Sequence, residues 1–236
     1  MRSRFYSIIT IPLFGLLYCF TAVIVFVILI FVSLKLKKPV ALISQFWARS
    51  VFLLMMKKIS ISGKNNINPE SRYILVANHG SLFDILAIMS FYPGISWFGH
   101  ERLLKVPLFG QILTMTDYVP FKEPTIKNTR QMIEQLAFKA RNQTVAIFPE
   151  GTRTLDGKIN DFYKGFIYLF RTSDIGILPV TLNGFYKLKP KNRLYINFSS
   201  KLSIVIHRPL KREELTGKTD AEIIDTVKAI IESAYQ

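Results

Sequence analysis

The chain has 236 residues, enough for one globular domain and an appendage. Its 31 basic against 16 acidic residues give a net charge of +15, which calls for an anionic partner: nucleic acid, an acidic lipid surface or a phosphorylated ligand. One cysteine, Cys19, excludes an intrachain disulfide, and with only His79, His100 and His207 beside it no cysteine/histidine metal cluster is expected.

From Phe5 to Leu34 thirty consecutive residues carry no charge. A signal peptide has a shorter apolar region and a small-residue cleavage site, and this run has neither. As one helix it would measure about 45 Å, well beyond a hydrocarbon core of roughly 30 Å. Pro12 and Gly15 are expected breaks. They leave residues 13–34 to span at about 33 Å, or permit a bent, re-entrant hairpin within one leaflet. Basic residues flank both ends (Arg2 and Arg4; Lys35, Lys37 and Lys38), so the positive-inside rule sets no orientation. Residues 41–58 form a second apolar stretch, interrupted by Ser44, Gln45, Arg49 and Ser50 and closed by Lys57-Lys58. With Trp47 among its polar positions it reads as a helix lying in the headgroup region, a core helix being the alternative. Residues 1–58 are thus expected to anchor the chain in membrane lipid, and 59–236 to form the globular domain. The acidic lipid surface is then the simplest source of the basic charge. A lone cysteine fits a domain on the cytoplasmic face of the cell membrane.

Beyond the anchor, strands are predicted at 72–78, 95–99, 118–121, 144–149, 176–183, 193–199 and 202–207. Helices are predicted at 81–91, 107–115, 125–141, 164–172 and 219–235, with Thr125 and Thr219 as caps of the third and last. The alternation predicts an α/β fold, a mostly parallel central sheet flanked by helices. Residues 150–163 form a long loop, and long loops in compact domains are disproportionately functional.

Two short stretches concentrate polar residues. The first, "VANHGSLFDILAIMS" (76–90), places Asn78, His79, Ser81 and Asp84 where a strand-like run meets a helix-like one. Ser81-Leu82-Phe83-Asp84 has the form of a capping box, which accounts for Ser81 and Asp84 but not for Asn78 or His79. The second, "AIFPEGTRTLDGKINDFYKG" (146–165), puts Glu150, Gly151, Thr152 and Arg153 just past the carboxyl end of a buried strand, where ligands bind in open α/β sheets. Arg153 offers a planar fork suited to phosphate, and Gly151 allows close backbone approach. A Walker loop is excluded: Ile159 stands where Ser or Thr would hold magnesium.

Together these stretches resemble the glycerolipid acyltransferase family, whose members include the bacterial 1-acyl-sn-glycerol-3-phosphate (lysophosphatidic acid) acyltransferases. The N-H-x-S-x-x-D motif is met by Asn78, His79, Ser81 and Asp84, and F-P-E-G-T-R by Phe148 through Arg153. Asp156, Gly157, Phe162, Lys164 and Gly165 meet the D-G-x…F-x-K-G pattern, and Leu178-Pro179-Val180 a fourth segment. The resemblance implies acyl transfer from acyl-CoA or acyl-carrier protein, as co-substrate and with no cofactor, to the sn-2 hydroxyl of lysophosphatidic acid. The product is phosphatidic acid, for phospholipid biosynthesis. It assigns catalysis to His79 and Asp84, and substrate binding to Asn78, Ser81, Glu150, Gly151, Thr152, Arg153 and Lys164. Relatives usually carry an arginine where this chain reads "DYVPFKEPT", which makes Lys122 the candidate replacement. The same difference keeps open an acceptor that is another lysophospholipid or a lipoamino acid. No basic-aromatic motif of a nucleic-acid module is present, so nucleic acid is not an expected partner.

Histidine, whose proton affinity lies near neutrality, suits the base that acyl transfer to an alcohol needs. On one continuous helix residues five apart differ by about 140°, so His79 and Asp84 would not meet. With His79 in the turn before the helix and Asp84 in its first turn, the carboxylate can fix the imidazole's tautomer.

Overall fold

The structure, a computed structural model, describes residues 2–115, 118–121, 134–136, 138–140 and 142–236. The first helix, α1 (Arg2–Ser33), runs unbroken through Pro12. The expected break is absent, and the turns just before Pro12 are held by tertiary contacts. Thr10 Oγ1 donates to the Tyr6 carbonyl and accepts from the Ile196 amide, and Tyr6 packs on Tyr195 and Phe198. Its 32 residues make a rod of about 48 Å. Residues Tyr6–Ser33 are long and apolar enough to cross a membrane, and only 22% of the most apolar window is buried.

After a turn at Lys35 (φ 58°), α2 (Lys37–Leu54) packs back along α1, with the Trp47 indole donating to Thr21 Oγ1. Val40, Ser44, Trp47, Val51 and Met55 recur at helical spacing and are buried, while Leu42, Phe46 and Leu53 stay exposed. The predicted headgroup helix and its core alternative therefore describe two faces of one element. Arg49 and Lys57 tie it to the domain through the carbonyls of Ser90 and Phe198, at 2.7 and 2.9 Å.

The sheet has seven strands: β1 (Ile59–Ser62), β2 (Tyr73–Ala77), β3 (Ser96–His100), β4 (Val119–Phe121), β5 (Val145–Ile147), β6 (Gly176–Asn183) and β7 (Leu202–Ile206). Their order is β1-β7-β6-β2-β5-β3-β4, parallel throughout except between β6 and β7. Alternate residues of β2 feed two cores. Tyr73, Leu75 and Ala77 pack with α1, α2 and α3 (Phe83–Phe91), and Ile74 and Val76 with α5 (Gly165–Thr172) and α6 (Asp220–Glu232). A short helix, α4 (Phe109–Met115), lies between β3 and β4.

Thr219 caps α6 in a full capping box with Glu222. The cap expected at Thr125 lies outside the described residues. Two further differences from the sequence reading concern strands. The edge strand β1, four residues long, is too short to stand out by alternation. The predicted strand at 193–199 is instead a loop: Asn197 Oδ1 accepts from the Ser199 amide, a local turn that competes with sheet pairing, and Asn197 N binds the Leu188 carbonyl.

Candidate active site

Strands β2 and β5 run parallel with Val76 beside Ile147, so the two polar stretches leave the same sheet edge as neighbours. Asn78 is buried at the end of β2. Its side chain accepts from the Leu182 amide at 2.7 Å and donates to the Leu182 carbonyl at 3.0 Å, continuing the β2–β6 ladder by other means. The chain then turns before α3. Only half of the predicted capping box forms. Asp84 accepts from the Ser81 amide, but the Ser81 hydroxyl accepts from the Phe83 amide (3.4 Å) rather than that of Asp84, and donates to the Lys189 carbonyl at 2.8 Å.

Asp84 is fully buried in the first turn of α3, and its Oδ2 gathers three donors: Gly80 N and Ser81 N, each at 2.7 Å, and His79 Nδ1 at 2.9 Å. An oxygen already accepting two backbone N–H groups accepts from the imidazole as well. The proton is thereby set on Nδ1, and Nε2 carries the lone pair. Among the described residues Nε2 has no hydrogen-bond partner, and the side chain is 15% exposed. Phe148 fixes the ring plane, stacked on the imidazole at 4.1 Å and 13°, with Trp97 beyond it at 5.8 Å.

Glu150 points inward. Its two oxygens accept from the amides of His79 (2.6 Å) and Asn160 (2.9 Å), and burial pushes its pKa up to about 7 against the pull of those bonds. Thr154 N donates to the His79 carbonyl at 2.9 Å, so the second stretch grips the His79 backbone on both sides. Between these grips Gly151 takes φ +66°, a left-handed turn, and with Thr152 it is exposed. Arg153 is half-buried. Burial lowers its pKa, while the Asp84 carboxylate works in the opposite direction. Lys164 stands exposed at the start of α5, and Lys122 lies outside the described residues.

Four further residues border the site. Phe148 belongs to the quoted motif, but nothing in its spacing marks it as a ring partner of His79. Tyr186 donates to the Leu155 carbonyl at 2.9 Å and packs so closely on Gly157 (φ +88°) that a Cβ there would lie 2.8 Å from its ring. Lys189 and Lys191 arrive on the same loop, and no periodicity links them to residues 79 or 153. The Lys191 ammonium lies 3.4 Å from Thr152 Oγ1.

Comparison with known proteins places this geometry in context. The Acyltransferase family profile matches residues 58–183. A chloroplastic 1-acyl-sn-glycerol-3-phosphate acyltransferase of Arabidopsis thaliana is 25% identical over 190 residues, which is 78% of this chain and 53% of that protein. The Borreliella burgdorferi protein named 1-acyl-sn-glycerol-3-phosphate acyltransferase is 28% identical over 185 residues, 73% of each. The chain thus spans about half the length of the plant relatives it matches. The crystal structure of a Thermotoga maritima 1-acyl-sn-glycerophosphate acyltransferase superposes with a TM-score of 0.82 at 24% identity, covering 99% of this chain and 97% of that one, and shares its fold.

Proposed function

This chain belongs to the acyltransferase family, and from that premise we propose that it transfers a fatty acyl group from acyl-CoA or acyl-carrier protein to the sn-2 hydroxyl of 1-acylglycerol 3-phosphate, giving phosphatidic acid. The observation that carries this reading is the His79–Asp84 hydrogen bond of 2.9 Å, which leaves Nε2 as an available base beside a loop bearing Arg153. The acceptor hydroxyl gives its proton to Nε2 as its oxygen bonds to the thioester carbonyl carbon. The tetrahedral oxyanion then collapses, the carbon–sulfur bond breaks, and the departing thiolate takes the proton back from Nε2. Asp84 stabilises the intervening imidazolium. No covalent acyl-enzyme is needed. Ser81 is buried with its hydroxyl committed to the Lys189 carbonyl, and Cys19 lies on α1.

In this reading Glu150, Asn78 and Ser81 are positioning residues, since their polar atoms are bound to backbone. Thr152 and Arg153 face the acceptor. The exposed apolar side chains of α1 and α2 support residence in the cell membrane, with the domain on the cytoplasmic face beside its thioester donors. A lysophospholipid or lipoamino-acid acceptor is the second reading, favoured by Lys122 standing where arginine is usual. Purified protein tested with both donors against lysophosphatidate, lysophosphatidylglycerol and a lyso-lipoamino acid separates the two. Preference for lysophosphatidate supports the first reading, and preference for an acceptor without a phosphomonoester overturns it.

A further inference from the structure

We propose that Lys191 is a specificity-determining residue that closes on the acceptor's phosphomonoester opposite Arg153, an inference that rests on the acyl-transfer reading above. The segment after β6 lies against the 150–157 loop. It is fastened there by the Ser81 hydroxyl on the Lys189 carbonyl, by Tyr186 on the Leu155 carbonyl, and by the Lys191 ammonium 3.4 Å from Thr152 Oγ1. Three cations therefore lie on these two touching segments: Arg153, Lys189 and Lys191. Lys189 feels the crowding, for its pKa is lowered by burial first and then by Arg153 and Arg193.

Among the described residues none of these cations forms an ion pair. Lys189 and its neighbour Arg193 are already committed. Lys189 donates to the carbonyls of Pro190 and Arg193, and Arg193 reaches the Leu188 carbonyl while lying over the Tyr195 ring. Arg153 and Lys191 remain to face an anion: Lys191 lies against the Thr152 hydroxyl, and Arg153 follows Thr152 in the chain. The repulsion between Arg153 and Lys189 is relieved when a counter-charge arrives. A phosphate dianion supplies it, with two oxygens for the guanidinium fork and a third for the ammonium.

Phosphate is offered by both substrates, and position favours the acceptor. Its phosphate is only a few bonds from the reacting hydroxyl, whereas the donor's phosphates lie a pantetheine arm from the thioester. Arg153 immediately precedes Thr154, whose amide binds the His79 carbonyl, so the cation pair adjoins the base.

The test uses the full chain in mixed micelles and compares wild type with Lys191→Ala, Lys191→Arg and Lys187→Ala, an exposed lysine of the short helix just before the loop that carries Lys191. Lys191→Ala is expected to raise the KM for lysophosphatidate about tenfold, as for loss of a charge-assisted hydrogen bond, and to leave the thioester KM within about twofold. Lys191→Arg should retain most of the affinity, Lys187→Ala all of it, and turnover of monoacylglycerol should be indifferent to all three. A rise confined to the thioester KM would assign Lys191 to the donor phosphate and overturn the proposal. So would an equal rise in Lys187→Ala, which would mark general attraction to an anionic surface, or no change in Lys191→Ala. Failure of the wild type to acylate lysophosphatidate overturns the lysophosphatidate reading and this inference with it, whereas wild-type activity without the Lys191 effect overturns this inference alone.

Discussion

Replacing Asp84 by Asn tests how the imidazole is held. Oδ2 accepts all three donors at the corner, while Oδ1 is buried with no partner. An Asn with its carbonyl in the Oδ2 position keeps every bond and sets its NH2 where nothing accepts it. The opposite orientation would press that NH2 against the Gly80 and Ser81 amides. The two backbone donors therefore choose the first orientation, and His79 keeps its proton on Nδ1. What is lost is charge. A charge-assisted bond exceeds a neutral one by about 1–2 kcal/mol, and a full pair at an effective dielectric near 20 is worth up to about 4 kcal/mol. Asp84→Asn should therefore lower kcat by about 10- to 10³-fold. Its unpartnered amide should reduce folding stability by about 1–3 kcal/mol. Inverting the tautomer would instead cost about 10⁴-fold, as in hydrolase triads. Steady-state kcat, with nitrogen NMR of labelled histidine to locate the proton, reads both quantities. A folded variant with the proton on Nε2 and a loss of about 10⁴-fold would refute the reasoning, as would a loss under about threefold.

Three further outcomes follow from the same geometry. Burial lifts Glu150 from an ordinary 4.5 to about 7, so the folded protein binds this proton more tightly than the unfolded chain. That stability is complete below about pH 4.5 and is lost as pH rises through about 7, on the order of 3 kcal/mol in all. Wild-type Tm measured from pH 5 to 8 should fall relative to Glu150→Gln, and parallel curves would contradict this. Arg153→Lys keeps the charge but loses the fork, and should weaken lysophosphatidate by about 1–3 kcal/mol in KM while sparing the thioester. Equal damage to both substrates would mark a loop brace. The protein should stay with membranes in about 1 M salt, which screens the +15 charge but not the apolar face of α1, and leave only in detergent. Recovery in the soluble fraction would count against an embedded anchor.

The elements that positioned the site were readable because their signals are local. β6 is found at residues 176–183 as predicted, and His79 and Asp84 meet as the strand-to-helix corner required. Signals spread along the chain were not readable. The grip of Glu150 on the His79 amide joins residues 71 positions apart, and the Ser81–Lys189 bond joins residues 108 apart. The inward direction of Glu150 was not readable either, because its motif fixes its neighbours in sequence but not where the side chain points. Pro12 reads as a break because local propensity does not contain the packing partners of a helix that runs on through it. The segment 193–199 has strand-forming residues, but the Asn197 turn decides its conformation.

His79 as the base of acyl transfer is tested most directly by product formation. Wild type and His79→Ala, each purified and shown to be folded, are supplied with lysophosphatidate and a long-chain thioester of CoA or acyl-carrier protein, and phosphatidic acid is quantified by mass spectrometry. Wild type should form it with at least one donor, and the variant should be slower by about 10²–10⁴-fold, the usual cost of losing a general base. Phosphatidic acid formed at a near wild-type rate by His79→Ala, or by neither protein, would contradict the account.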